Sequence, residues 1–243
     1  MKTPGNPGDE QVGSIACRAG YQALPDQYFM ETSMLTESSF DTGEVVINYA
    51  EGPALGSPLV LLHGSTLDWQ SWQHLIPPLA QTWHAYACDL RGHGKSGWAS
   101  SGYRIIDFVP DTEAFVERHL GQPTVLIGFS TGALVALGVA AQLPKLVRAI
   151  VLLDPGLILR NSSFSTIAFS DAYEWLTWVN ATLTSAHTLE EVLARCKEQM
   201  PDEAEAQSRA KMLHSLDPQS VAVILNDQFY GGLDLEQVLR QVA

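Results

Sequence analysis

The chain is 243 residues long and 46% hydrophobic, and its 27 acidic against 14 basic side chains give a formal net charge of −13. That length and apolar content suit one large domain with a sizeable core, and so acidic a surface repels nucleic acid and anionic membranes. No run of 18 apolar residues is present, and the first thirty residues lack the apolar core of a signal peptide. Cys17, Cys88 and Cys196 are odd in number and far apart, which gives neither a disulfide framework nor a metal-ligand spacing. The expectation is a cytoplasmic protein with no metal and no cofactor.

In chain order, residues 1–36 read as an N-terminal extension, expected to be disordered. Pro4-Gly5-Asn6-Pro7-Gly8 can form neither a helix nor a central strand. Glu44 to Ala50 reads as a strand and Pro53 to Pro58 as a turn. A short buried strand, Pro58-Leu59-Val60-Leu61-Leu62, runs into His63-Gly64-Ser65-Thr66. Asp68 is placed to cap a helix through Trp69, Trp72, Leu75 and Ile76. His84 to Cys88 is the next strand, followed by Asp89-Leu90-Arg91-Gly92-His93-Gly94-Lys95-Ser96-Gly97. A helix over Asp111 to Leu120 closes at Gly121. The strand Thr124-Val125-Leu126-Ile127 leads through Gly128 into a small-residue helix from Ala133 to Ala140. Arg148 to Leu153 is a further strand, ending at Asp154-Pro155-Gly156. Continuous apolar strands alternating with helices predict a parallel sheet covered on both faces. Beyond residue 160 only helices are predicted, over Ala172 to Leu183, Pro201 to Leu216 and Pro218 to Asp227, and along the face shared by Leu189, Val192, Leu193, Cys196 and Met200.

The most specific local signal is Gly128-Phe129-Ser130-Thr131-Gly132 between a strand and a helix. This is the layout of a nucleophile elbow, in which a sharp turn aims a serine hydroxyl away from the sheet. Side chains at Gly128 or Gly132 would collide with the neighbouring strand or helix. The new helix points its free N–H groups at the serine, favouring negative charge there. A surface turn is the competing reading of Gly-x-Ser-x-Gly alone, and the flanking strand and helix argue against it.

Together with His63-Gly64 and the Asp89-x-Arg91-Gly92-x-Gly94-x-Ser96 run, the elbow resembles the α/β-hydrolase family, in its branch of small serine esterases, lactonases, cofactor-free haloperoxidases and carbon–carbon bond hydrolases. The resemblance covers residues 38 to 160 well. It implies an α/β fold: a mostly parallel sheet with about six of the family's eight strands present and a helical cap. The implied organisation is a core over 37–160, and a helical cap with a truncated end over 161–243. Ser130 is the implied nucleophile. The backbone N–H groups of Ser65 and Thr131 are the implied oxyanion donors, and because backbone groups donate, their side chains are expected not to matter. Family members that are haloalkane dehalogenases or epoxide hydrolases place an aspartate where Ser130 stands. A serine implies instead an acyl-enzyme route to esters, lactones, thioesters or activated ketones.

The resemblance also exposes a departure. The family's acid usually follows the seventh strand and its histidine the eighth, yet no strand is predicted after residue 235 and no histidine follows His214. His63 is structural in the family, with a role as base the alternative. His93 reads as a loop-stabilising residue and His214 as a solvated one, while His74, His84, His119 and His187 have no motif support; His119 falls in a last helical turn, where a cation is mildly favoured. Asp154 is either the catalytic acid, at the sheet edge where α/β sites lie, or a turn residue before Pro155-Gly156. Asp89 reads as the organiser of its loop. Trp69, Trp72, Trp175 and Trp178 either line an apolar acyl pocket or pack the core. Gly94-Lys95-Ser96 is not a phosphate loop, since Asp89 stands where that motif needs a glycine.

If the seventh strand is missing, Ala149 to Leu153 becomes an apolar edge that invites self-association. A fragment of a longer product is the expected explanation. The expected function is hydrolysis of a small apolar ester or lactone through acyl-Ser130, impaired for want of the C-terminal histidine. The alternatives are a non-catalytic binding module, acyl transfer and perhydrolysis.

Overall fold

A computed structural model describes residues 35–155, 165–226, 231 and 234–242, with side chains left aside at 165–172, 235 and 236. Six strands form one sheet: β1 (Thr36–Asp41), β2 (Val46–Glu51), β3 (Ser57–Leu62), β4 (Trp83–Cys88), β5 (Thr124–Phe129) and β6 (Val147–Leu153). Their order is β1-β2-β4-β3-β5-β6. The pairs β3–β4, β3–β5 and β5–β6 are parallel, while β1–β2 and β2–β4 are antiparallel. The central strands carry the longest apolar runs because both of their faces are covered: Pro58 to Leu62 is buried throughout.

Trp69–Trp72 is a 3-10 turn capped by Asp68, and α1 (Ile76–Leu79) follows it with prolines in its first turn. Next come α2 (Ile105–Ala114), continued by a π-turn over Phe115–Leu120, and α3 (Thr131–Gln142). Then come α4 (Ser165–Ser185), α5 (Leu189–Gln199), α6 (Glu203–His214), α7 (Pro218–Leu225) and α8 (Leu235–Val242). Helices α2 and α3 cover one sheet face through Phe108, Val109, Phe115, Leu134 and Val135, packed on Val60, Leu62, Tyr86 and Leu126. Trp72, Ile76 and Ala80 cover Leu59, Leu61, Ala85 and Ala87 on the other. Helices α4 to α7 enclose an apolar cluster of their own around Val179, Val192, Cys196, Ala206 and Leu213. Helix α8 packs against α3.

Two expectations are revised. The extension assigned to residues 1–36 lies outside the described residues except for its last two, and Thr36 already belongs to β1. That strand escaped notice because Thr-Glu-Ser-Ser-Phe-Asp is a half-exposed edge in which only Phe40 brings a large apolar side chain to the core. Helix α2 starts six residues before the expected Asp111. The carboxylate of Asp107 accepts from the Arg104 N–H at 2.9 Å and starts the helix there, and Pro110 sits inside it. Among the described residues β6 pairs only with β5, and Ala149, Val151 and Leu153 are exposed.

Candidate active site

Strand β5 delivers the chain to Ser130 and α3 carries it away. Between them Ser130 adopts φ 50° and ψ −114°, outside the regions L-residues favour. The turn is held from both sides: the Ser130 N–H donates to Leu153 O at 2.9 Å, and Ser130 O accepts from the Ala133 and Leu134 N–H groups at 3.0 and 3.3 Å. Close packing explains the two glycines. A Cβ on Gly132 would fall 2.2 Å from Leu62 O, and one on Gly128 would fall 2.2 Å from Gly132 O. Thr131 is the first residue of α3, so its N–H has no acceptor within the helix and faces the turn.

The loop after β3 supplies the opposite wall. Gly64 comes so near that a Cβ there would stand 3.1 Å from Ser130 Cβ. The Leu67 N–H donates to Gly64 O at 3.2 Å, closing a turn centred on Ser65 and Thr66, with Thr66 at φ 62°. Ser65 Oγ is hydrogen-bonded to Thr131 Oγ1 at 2.5 Å. The two residues expected to supply oxyanion donors are thus neighbours, joined by the side chains that were expected not to matter.

His63 anchors this loop. Its Nδ1–H donates to Gly64 O at 2.8 Å and its Nε2 accepts from the Leu90 N–H at 2.9 Å, so both ring nitrogens are occupied and the tautomer follows from the partners. Burial pushes its pKa down to about 4. It is a neutral strut between two loops. His93 packs against it in a tilted arrangement with ring centroids 5.1 Å apart, donates Nδ1–H to Arg91 O, and is pushed down to about 3 by burial and by His63. Among the described residues its Nε2 has no hydrogen-bond partner. Asp89 organises the following loop: its carboxylate accepts from Trp69 N–H, Asn48 Nδ2–H and Lys95 N–H at 2.7, 2.8 and 3.0 Å.

All seven histidines of the chain are described, and none is hydrogen-bonded to Ser130 or Asp154. His84 donates to Glu51 at 2.7 Å and His119 contacts Tyr49 OH at 3.0 Å. Burial lowers the pKa of His119, against the cation expected in that last helical turn. His74, His187 and His214 are exposed. Asp154 follows β6 at φ 43°, exposed, one residue beyond the carbonyl that binds the elbow. Among the described residues no group of three or more His, Cys, Asp or Glu side chains is placed to hold a metal ion, and no helix is long and apolar enough to cross a membrane.

Helix α4 reaches the rim of this site. Trp175 Nε1–H donates to Thr66 Oγ1 at 3.4 Å, and Trp175 stacks on Trp178 with ring centroids 4.9 Å apart. The Arg209 guanidinium of α6 lies over Trp175, 5.2 Å from its centroid. Trp72, by contrast, is buried in the core, with Trp69 packed beside it. Trp175 and Trp178 also pack, against the apolar cluster enclosed by α4 to α7, and Trp175 in addition reaches Thr66.

The alpha/beta hydrolase fold family matches residues 57–232, a span that takes in the loop after β3, the elbow and the helices α4 to α7. The chain belongs to the alpha/beta hydrolase family. Among similar hydrolases, a soluble epoxide hydrolase of a Corynebacterium species is 39% identical over 112 residues, 45% of this chain and 39% of that protein. The lipase LipV of Mycobacterium tuberculosis is 36% identical over 111 residues, 46% of this chain and 42% of that protein. The chain thus spans well under two thirds of the length of these relatives. An N-formylmaleamic acid deformylase from Pseudomonas putida has a similar fold, with a TM-score of 0.65 at 21% identity over 86% of this chain and 79% of that one. Within this alpha/beta hydrolase, the Ser65–Thr131 side-chain bond and the Thr66–Trp175–Arg209 rim carried no signal in the sequence. The only hint was that all of these residues are polar or aromatic.

Proposed function

We propose that the chain is a serine hydrolase acting on a small carboxylic ester or lactone through an acyl-Ser130 intermediate. Ser130 Oγ attacks the carbonyl carbon, the bond to the alkoxy oxygen breaks, the serine proton goes to the departing alkoxide, and water later cleaves the acyl-serine. The amides of Ser65 and Thr131 would carry the oxyanion, each worth roughly 10²–10³ in rate. The observation that carries this reading is the elbow itself: a strained serine at the start of a buried helix, beside the His63-Gly64-Ser65 loop. The serine also separates this chain from the alkyl-enzyme chemistry that the family attaches to an aspartate at that place. Asp154 is the proposed acid, on the strength of its position next to the elbow.

The seven histidines favour a second reading as well. With no imidazole on Ser130, turnover is expected to be impaired by as much as about 10⁶, and a hydrolase-like module that binds a small molecule without turning it over becomes the rival. A fluorophosphonate probe separates the two. Labelling that Ser130→Ala abolishes supports an activated serine, and equal labelling of both proteins rejects it. Self-association through the exposed β6 edge is part of the proposal, motivated by Val151 and Leu153, 42% and 39% exposed. Sedimentation should show oligomers that Val151→Lys dissociates, and a monomer before substitution would refute this.

A further inference from the structure

Lys and Arg side chains in the described residues are mostly satisfied by carboxylates. Arg91 meets Asp111 and Glu44, Lys95 meets Glu37, Arg104 meets Asp107 and Lys197 meets Glu203. Lys145, Arg148 and Lys211 have no such partner but are exposed. Arg209 differs from both groups. It is half-buried, and among the described residues no acceptor lies within hydrogen-bond or ion-pair reach of its guanidinium. In a chain with nearly twice as many acids as bases, that is an arrangement to be explained.

We propose that Arg209 receives a carboxylate of the substrate, so that the preferred substrate is a small ester or lactone whose acyl part also carries a free carboxylate. This rests on the serine-hydrolase reading and names its substrate class, adding one charge to the apolar ligand expected from the tryptophans. The guanidinium lies over the Trp175 face, an arrangement that fixes its plane and leaves its N–H edge free for a bidentate acceptor. Trp175 is tied to Thr66, the residue after Ser65. The cation is therefore one aromatic ring from Thr66, in the loop that follows β3 and packs against Ser130. A half-buried donor edge without an acceptor is unfavourable in the free protein, and a carboxylate relieves it.

The surroundings favour a monoanion. Asp68 feels the Arg209 charge, and Asp89 and Glu37 stand behind Asp68. A doubly charged phosphate would meet these carboxylates, whereas a single carboxylate can balance the one guanidinium. Burial and Asp89 hold the Asp68 carboxyl up at about 6, which weakens it as a competitor for Arg209.

The test is calorimetric titration of the whole chain with monomethyl succinate, dimethyl succinate and inorganic phosphate. The monoester should bind about tenfold or more tighter than the neutral diester, and phosphate more weakly than the monoester. Arg209→Gln should abolish the preference for the monoester, and Arg209→Lys should retain part of it. Equal affinities for the two esters, no saturable monoester binding, phosphate binding as tight as the monoester, or an unchanged preference in Arg209→Gln would each overturn the proposal. Fluorophosphonate labelling of the unsubstituted protein keeps the two readings apart. A labelled Ser130 without a monoester preference defeats the carboxylate site alone, and a preference without labelling supports the carboxylate site while defeating the serine chemistry.

Discussion

Ser65 Oγ and Thr131 Oγ1 are hydrogen-bonded at 2.5 Å although 66 positions separate them in the chain. The bond ties the loop after β3 to the first turn of α3, the two segments proposed to supply the oxyanion donors. Thr131→Val removes the hydroxyl, keeps the shape and leaves both amides in place. A neutral hydrogen bond contributes about 1 kcal/mol, so the rate of fluorophosphonate labelling at Ser130 should fall about fivefold. An undiminished rate would show that the amides hold their positions without the side-chain link.

The backbone of Ser130 stores strain at φ 50° and ψ −114°. Such a conformation costs about 1–3 kcal/mol in a residue with a side chain and far less in glycine, although glycine gives back about 1 kcal/mol in unfolded-state entropy. Ser130→Gly should therefore raise unfolding free energy by about 1 kcal/mol while ending covalent labelling. Urea unfolding compared with Ser130→Ala checks this, because alanine loses the hydroxyl but keeps the strain. A glycine variant about 1 kcal/mol less stable than the alanine variant would mean that the turn is not strained.

Much of this site could be read from the chain because its chemistry is local. Gly128, Ser130 and Gly132 must be two apart for one turn to pass between strand and helix, and β5 and α3 announce themselves by unbroken apolar runs. The structural role of His63 was implied by the family resemblance, although its partner Leu90 was not. What stayed hidden depends on side chains meeting across long separations. Nothing near Arg209 in sequence indicates that it will lie on Trp175, and nothing in the polar run Thr36–Asp41 distinguishes an edge strand from a loop. Helix α2 runs six residues further back than expected, through Pro110, and the burial of Ile105 and Phe108 that favours this is tertiary.

Acid should destabilise the protein through its two buried histidines. His63 and His93 are held down at about 4 and about 3, from an ordinary value of 6.5, chiefly by burial. Below pH 6.5 the unfolded imidazoles bind protons that the folded ones refuse, so this stability is present above 6.5 and is lost as pH falls towards 4 and 3. Asp68, raised to about 6 by burial and by Asp89, acts in the opposite sense, since its folded form takes up a proton first. Asp89 is raised in the same direction by burial. The histidines dominate, and about 3 kcal/mol should be lost between pH 7 and pH 4.5. Denaturant midpoints across that range measure it, and a flat profile would contradict the burial of charge-free imidazoles.

Asp217 fastens the helical segment to the sheet domain. Its carboxylate accepts from Tyr103 OH at 2.5 Å and from the Gln219 N–H at 2.9 Å, so one side chain both caps α7 and docks it. Its own N–H donates to Gly92 O at 2.8 Å, in the loop that carries His93, and Trp98 Nε1–H reaches Ser215 O nearby at 3.3 Å. Asp217 and Tyr103 are both buried, and burial first, then the shared hydrogen bond, raise the pKa of the phenol. Asp217→Ala should cost about 3 kcal/mol, because it leaves the tyrosine hydroxyl and the end of α7 short of partners. Tyr103→Phe should cost about 1–2 kcal/mol, and the double variant less than the sum, with a coupling of at least about 1 kcal/mol. Additive losses would show that the two residues act separately, and that the segment bearing Trp175 and Arg209 is held over Ser130 by its apolar contacts alone.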